Sequence, residues 1–147
     1  MRRQIAVQAE NFDAGAEMAR LAADGVGGIA SFVGVVRAAD GVVAMTLEHY
    51  PGMTERAMEA IAAQAQARWP LAALTLIHRV GRLRAGENIV FVGAASAHRA
   101  AALAAVAFMI DWLKTAAPFW KAEEFEDGRT EWVSAKGEDD AAAAAWG

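Results

Sequence analysis

The chain has 147 residues, no cysteine, 56% hydrophobic residues and a formal net charge of −4. That length suits one domain, and the apolar share suffices for a core, although much of it is alanine, which favours helix but fills little volume. The missing cysteines exclude disulfides, thiolate metal sites and a cysteine nucleophile, the three histidines have no i, i+4 spacing for a metal, and the acidic balance argues against a general nucleic-acid binder.

Residues 4–8 alternate and predict a short strand. No apolar leader follows Met1-Arg2-Arg3, so a cytoplasmic protein is expected. Asp13 can cap a helix over 14–23, which Asp24-Gly25 stops. Residues 27–37 (Gly-Gly-Ile-Ala-Ser-Phe-Val-Gly-Val-Val-Arg) predict a strand whose glycines mark close approach by a neighbour or ligand, with Phe32 in the core. Ala39-Asp40-Gly41 forms a turn, and 42–49 is expected as the hairpin partner of that strand. Thr54 is expected to cap a helix to about residue 68, with Met58, Ile61, Ala62 and Ala65 as its apolar positions. Residues 74–80 read as a strand, 81–87 as a turn region and 88–95 as another strand. Ser96 would cap a helix over 99–114. Asp127-Gly128 is a turn, 131–136 a last short strand, and the acidic, alanine-rich tail over 138–147 either helical or flexible. The order β-α-β-β-α-β-β-α-β, with short turns between strands, predicts an α+β fold with mostly antiparallel sheet and about three main helices, in a single domain over 1–147. No dinucleotide fingerprint or phosphate loop is present. The longest apolar stretch, 100–113, contains Asp111 and is too short to cross a bilayer.

The densest chemistry lies in Lys114-Thr115-Ala116-Ala117-Pro118-Phe119-Trp120-Lys121. Pro118 must end the preceding helix, because proline donates no N–H and clashes with the turn before it. Lys114 is then expected at a helix end and Lys121 on an ordered aromatic loop. Two ammonium groups near aromatic surface repel each other and lose hydration, which favours the neutral, nucleophilic form. The segment fits either an anion clamp or a reactive lysine. His98-Arg99 opens the helix that Lys114 closes. Free N–H groups and the helix dipole favour an anion there, so Ser96, His98 and Arg99 fit a phosphate or carboxylate cradle as well as an ordinary cap. His78-Arg79 ends a strand, where alternation would bury only one of the pair. Fifteen helical steps of about 1.5 Å separate Arg99 from Lys114, roughly 22 Å, so a site using both ends of the helix would have to be shared by two copies of the chain.

Several blocks occur in one order: Phe32-Val33-Gly34-Val35-Val36-Arg37, Leu47-Glu48-His49-Tyr50-Pro51-Gly52-Met53, His78-Arg79-Val80-Gly81, Ser96-Ala97-His98-Arg99, Lys114 through Lys121, Asp127-Gly128 and Trp132. Together they resemble the large, catalytic subunit of molybdopterin synthase over residues 27–136. The resemblance implies an α/β hammerhead fold and a central dimer. It also implies a small ubiquitin-like sulfur-carrier subunit bound to each copy, giving a heterotetramer. The carrier's Gly-Gly tail ends in a thiocarboxylate, and two sulfurs pass to cyclic pyranopterin monophosphate to form the dithiolene of molybdopterin. No cofactor or metal is implied. Residue by residue, the resemblance puts the catalytic lysines on Lys114 and Lys121. Substrate contacts fall on Arg37, His98, Arg99, Phe32, Glu123 and Lys136, the last standing where the family carries arginine; lysine keeps that charge and loses the bidentate fork. A sulfurtransferase without cysteine must receive its sulfur on a partner, which agrees with the resemblance. The alternative is a non-catalytic module of the same fold that holds an anionic peptide tail.

Overall fold

The computed structural model describes residues 1–133 and 137–147. In chain order the elements are β1 (Arg2–Gln8), α1 (Ala14–Leu21), β2 (Gly28–Val35), β3 (Val42–His49), α2 (Met53–Arg68), β4 (Leu71–Arg79), β5 (Gly81–Arg84), β6 (Asn88–Ser96), α3 (Arg99–Ala116), β7 (Phe119–Phe125), β8 (Thr130–Val133) and α4 (Gly137–Ala144). The strands form two four-stranded sheets, ordered β1-β4-β6-β2 and β5-β3-β7-β8. Only β1 against β4 is parallel; every other pairing is antiparallel. The architecture is the expected α+β one, mostly antiparallel.

The first sheet is covered on both faces, which explains why its central strands are apolar almost throughout. On β4, Leu74 and Leu76 join the larger core, shared with α2 and α3 residues such as Met58, Ile61, Ala105 and Met109. Ala73 and Ile77, one step out of phase, pack in a second core with Phe12, Leu21 and Phe91. Asp13 caps α1 by accepting from the Ala16 N–H at 3.0 Å. The tail forms α4, which lies along α3. Ala143 is buried there, and the Trp146 indole donates to the Asp111 carboxylate at 2.7 Å while meeting Trp69 and Phe108 edge-on.

Four local expectations are corrected. β2 and β3 do not form a hairpin: β2 pairs with β6 in the first sheet and β3 with β5 and β7 in the second. The turn at 39–41 therefore carries the chain between sheets. Residues 81–84, read as part of a turn, form β5, because β3 offers them a free edge. Ser96 is the last residue of β6, and its hydroxyl donates to the Pro70 carbonyl at 2.8 Å, so His98 takes the N-cap position of α3. Gly52, at a positive φ of 86°, takes the N-cap position of α2 in place of Thr54. The Gly52 N–H donates to the Glu55 carboxylate at 3.0 Å.

Candidate functional site

The end of α3 sets the site. Ala117 precedes a proline, which drives it out of the helical region; its φ and ψ of −81° and 129° stop the helix. The chain reverses at Pro118 and enters β7. Thr54, fully buried at the start of α2, fastens this reversal. Its hydroxyl donates to the Pro118 carbonyl and accepts from the Tyr50 N–H, both at 3.1 Å. Lys121 consequently sits on a strand, not on the expected loop, opposite Leu47 of β3. Strand alternation puts Phe119, Lys121 and Glu123 on one face of β7 and exposed Trp120 on the other.

Lys114 and Lys121 meet in a small cavity of about 40 Å³, lined also by His78, Val90, Ile110 and Phe119. Ile110 and Lys114 are four apart on α3 and so share a face. A void of this size admits the narrow end of a ligand, and anything larger must rest outside it. A wider, open cleft of about 330 Å³ lies beside β1 and α1. Its arginines already have partners: Arg2 donates to the carbonyls of Arg20, Leu21 and Ala22 at the end of α1, and Arg3 pairs with Glu59 at 2.8 Å.

His78 is the residue that sequence reasoning passed over. Both members of the His78-Arg79 pair are buried, against the expectation that only one could be. β4 is an interior strand covered on both faces, and each side chain finds polar partners. Arg79 donates to the Ala9 carbonyl at 3.0 and 3.1 Å and to the Asn88 carbonyl at 3.1 Å, and reaches Glu87 at 3.4 Å. His78 faces the other way, toward α3. Its ring stacks on Phe119 with centroids 3.7 Å apart and planes 17° from parallel. Nδ1 lies 2.8 Å from the Arg79 carbonyl, which can only accept, so Nδ1 carries the proton and Nε2 a lone pair. Burial pushes the imidazole pKa down to about 3; the hydrogen bond to Arg79 opposes this, and Lys114, Lys121 and His49 reinforce it. The signal available in the sequence was the apolar run of β4, which makes an interior strand and buries whatever ends it.

The other predicted residues divide by place. Arg37 follows β2 at the end where Val36 donates to the Glu87 carbonyl at 2.9 Å, the same end of the sheet as the lysine pair, and is exposed. Phe32, expected in the core, is 39% exposed because β2 is an edge strand. Glu123 shares the Lys121 face of β7, about 7 Å further along the strand. His98 and Arg99 lie at the opposite end of α3 and are exposed. Glycines hold them close to β2: a Cβ on Gly27 would meet the Ala97 carbonyl oxygen at 2.2 Å, and one on Gly28 the Arg99 Cα at 2.9 Å. The close approach read from these glycines is therefore that of the turn into α3. Lys136 lies outside the described residues. Among the described residues no group of three or more His, Asp or Glu side chains could hold a metal ion, and no helix is long and apolar enough to cross a membrane.

The site of this cysteine-free α+β chain is thus two lysines that share one cavity with a neutral histidine. The model of the MoaE protein family matches residues 7–116, and the chain belongs to that family. It is 53% identical to the molybdopterin synthase catalytic subunit of Pseudomonas aeruginosa over 147 residues, 97% of either chain. The solved molybdopterin biosynthesis MoaE protein from Burkholderia ambifaria MC40-6 superposes with a TM-score of 0.83 at 50% identity, covering 99% of this chain and 98% of that one. A more distant chain shares the fold at 22% identity and a TM-score of 0.72, covering 92% and 90%; it comes from a protein–protein complex of subunits 1 and 2 of molybdopterin-converting factor from Helicobacter pylori 26695.

Proposed function

We propose that the chain is the catalytic subunit of a molybdopterin synthase, a cytoplasmic sulfurtransferase of molybdenum cofactor biosynthesis. It takes sulfur from the C-terminal thiocarboxylate of a small ubiquitin-like carrier subunit and passes two sulfurs to cyclic pyranopterin monophosphate. The observation that carries the site assignment is the meeting of Lys114 and Lys121 in one small cavity of a cysteine-free chain. A Gly-Gly tail has no side chains, so it is narrow enough to bring its terminal group into such a space. Lys121 engages the thiocarboxylate carbonyl, and Lys114 serves as acid/base or attacks that carbonyl after the sulfur has bonded to the pterin, so that the acyl C–S bond breaks, sulfur stays on the pterin and the carrier's acyl group passes to the lysine nitrogen.

Arg37, His98 and Arg99 bind the phosphate and the pterin. Because His98 and Arg99 stand at the far end of an 18-residue α3, they serve the lysine pair of a second copy of the chain. The working unit is then a homodimer with a carrier on each copy. Phe32 and Glu123 border the same site, and Lys136 adds charge from the segment after β8. Reconstitution tests the reading: the purified chain, a thiocarboxylated carrier and cyclic pyranopterin monophosphate should yield the dithiolene. Carrier binding without any dithiolene would leave the chain as a tail-binding module.

A further inference from the structure

The buried side chain that lines the cavity together with the lysine pair is His78. Its ring is fixed twice, by the stack on Phe119 and by the Nδ1 contact to the Arg79 carbonyl. Those contacts commit one face and one nitrogen. The polar atom left to the cavity is Nε2, which in this tautomer is an acceptor. Around the ring stand Lys114 from α3, Lys121 from β7 and His49 from β3, which pairs with Phe119. An imidazolium among these groups would be a further cation in a buried place, and the ring stays neutral at any pH well above about 3. A neutral acceptor facing two ammonium groups orients a donor without adding charge to repel it.

We propose that His78 is a positioning residue for the lysine pair: its Nε2 lone pair accepts a hydrogen bond from one of the cavity ammonium groups and aims it at the incoming acyl group. This rests on the synthase reading for its consequence in turnover, but not for the hydrogen bond itself. His78 transfers no proton, since a base this weak cannot deprotonate an ammonium group.

Two substitutions separate aiming from packing. His78→Asn keeps an N–H where Nδ1 donates to Arg79 and removes the acceptor. His78→Gln places an amide oxygen near the position of Nε2. In single-turnover assays with saturating thiocarboxylated carrier, His78→Asn should lower the rate constant roughly tenfold to a hundredfold, because a misplaced reacting group loses alignment, with carrier affinity unchanged. His78→Gln should recover to within about threefold of the parent rate, as restored alignment requires. Equal losses in both variants that merely follow their loss of thermal stability would overturn the proposal, as would a parent-like rate in His78→Asn.

A second measurement stands even if the variants do not fold or the chain makes no dithiolene. Long-range ¹H–¹⁵N NMR on the unsubstituted protein at pH 7 should show a neutral His78 protonated on Nδ1. Its Nε2 resonance should move in Lys114→Ala or in Lys121→Ala. A proton on Nε2, or a resonance that neither lysine variant moves, would sink the proposal. Failure of the parent protein to form dithiolene, with these resonances as expected, would instead refute the synthase reading.

Discussion

At its C-terminal end α3 closes against β4, β6 and β7, and the lysine pair shares a cavity with a buried histidine. At its N-terminal end the same helix stands open: His98 makes no side-chain capping bond, and both His98 and Arg99 are exposed. The closed end is built within one chain, with the His78 tautomer fixed, the proline reversal pinned by Thr54 and both lysines lining one cavity. At the open end two glycines let the turn press onto β2, and among the described residues the side chains of His98 and Arg99 stay exposed. On the proposed reading, the groups that react are built in, while the groups that would serve a second copy are left at the surface.

The largest test breaks the closed end. Lys114→Ala and Lys121→Ala should each cut dithiolene formation by more than about a hundredfold, the scale of a lost acid–base or nucleophilic group. Their melting temperatures should stay close to that of the parent. Near-normal turnover by Lys121→Ala would remove the cavity from the chemistry.

The next test joins the two ends. Arg99→Ala should raise the KM for the cyclic pterin about tenfold to a hundredfold, as expected for a lost charge-assisted hydrogen bond. Unfolding and refolding Arg99→Ala together with Lys114→Ala should restore about a quarter of parent activity, since half the random dimers carry one intact site of two. If mixing restores nothing beyond the separate variants, the ends do not meet across a dimer.

Acid should find the closed end first. His78 titrates near 6.5 when unfolded and at about 3 when folded. Between those values the unfolded chain binds the proton and the folded chain does not. Stability from this group is therefore complete above about pH 6.5 and falls as pH drops toward 3, by a few kcal/mol in all. Urea midpoints at pH 7 and pH 4.5 measure it, and His78→Gln should flatten the difference. An unchanged slope in that variant would place the acid sensitivity elsewhere. The smallest effect belongs to the pin: Thr54→Val leaves two backbone groups without their partner and should cost about 1–2 kcal/mol, read as a lowered melting temperature.

Local chemistry already specified much of this molecule. Asp13 caps α1 as its position before an amphipathic run requires, and Pro118 stops α3 within three residues of Lys114 because a pyrrolidine ring cannot continue a helix. The spacing of Arg99 and Lys114 set the length between the two ends before any fold was known. What failed were statements about which neighbour a strand would meet. β2 and β3 are joined by a short turn yet enter different sheets, and β5 looked like a turn because only pairing with β3 makes it a strand.

The candidate site divides in the same way. Residue types and spacing by themselves left Lys114 to Lys121 as either an anion clamp or a reactive lysine, since those follow from side-chain chemistry and helix geometry; the sulfur-carrying partner came from the ordered blocks that resemble the family. Only the tertiary structure decided that Lys121 lies on a strand facing Lys114, that Phe32 is at an exposed edge, and that His78 is buried and neutral beneath both lysines. Burial and charge at one residue depend on what covers it. For His78 the cover comes from α3 and β7, whose residues lie more than twenty positions further along the chain.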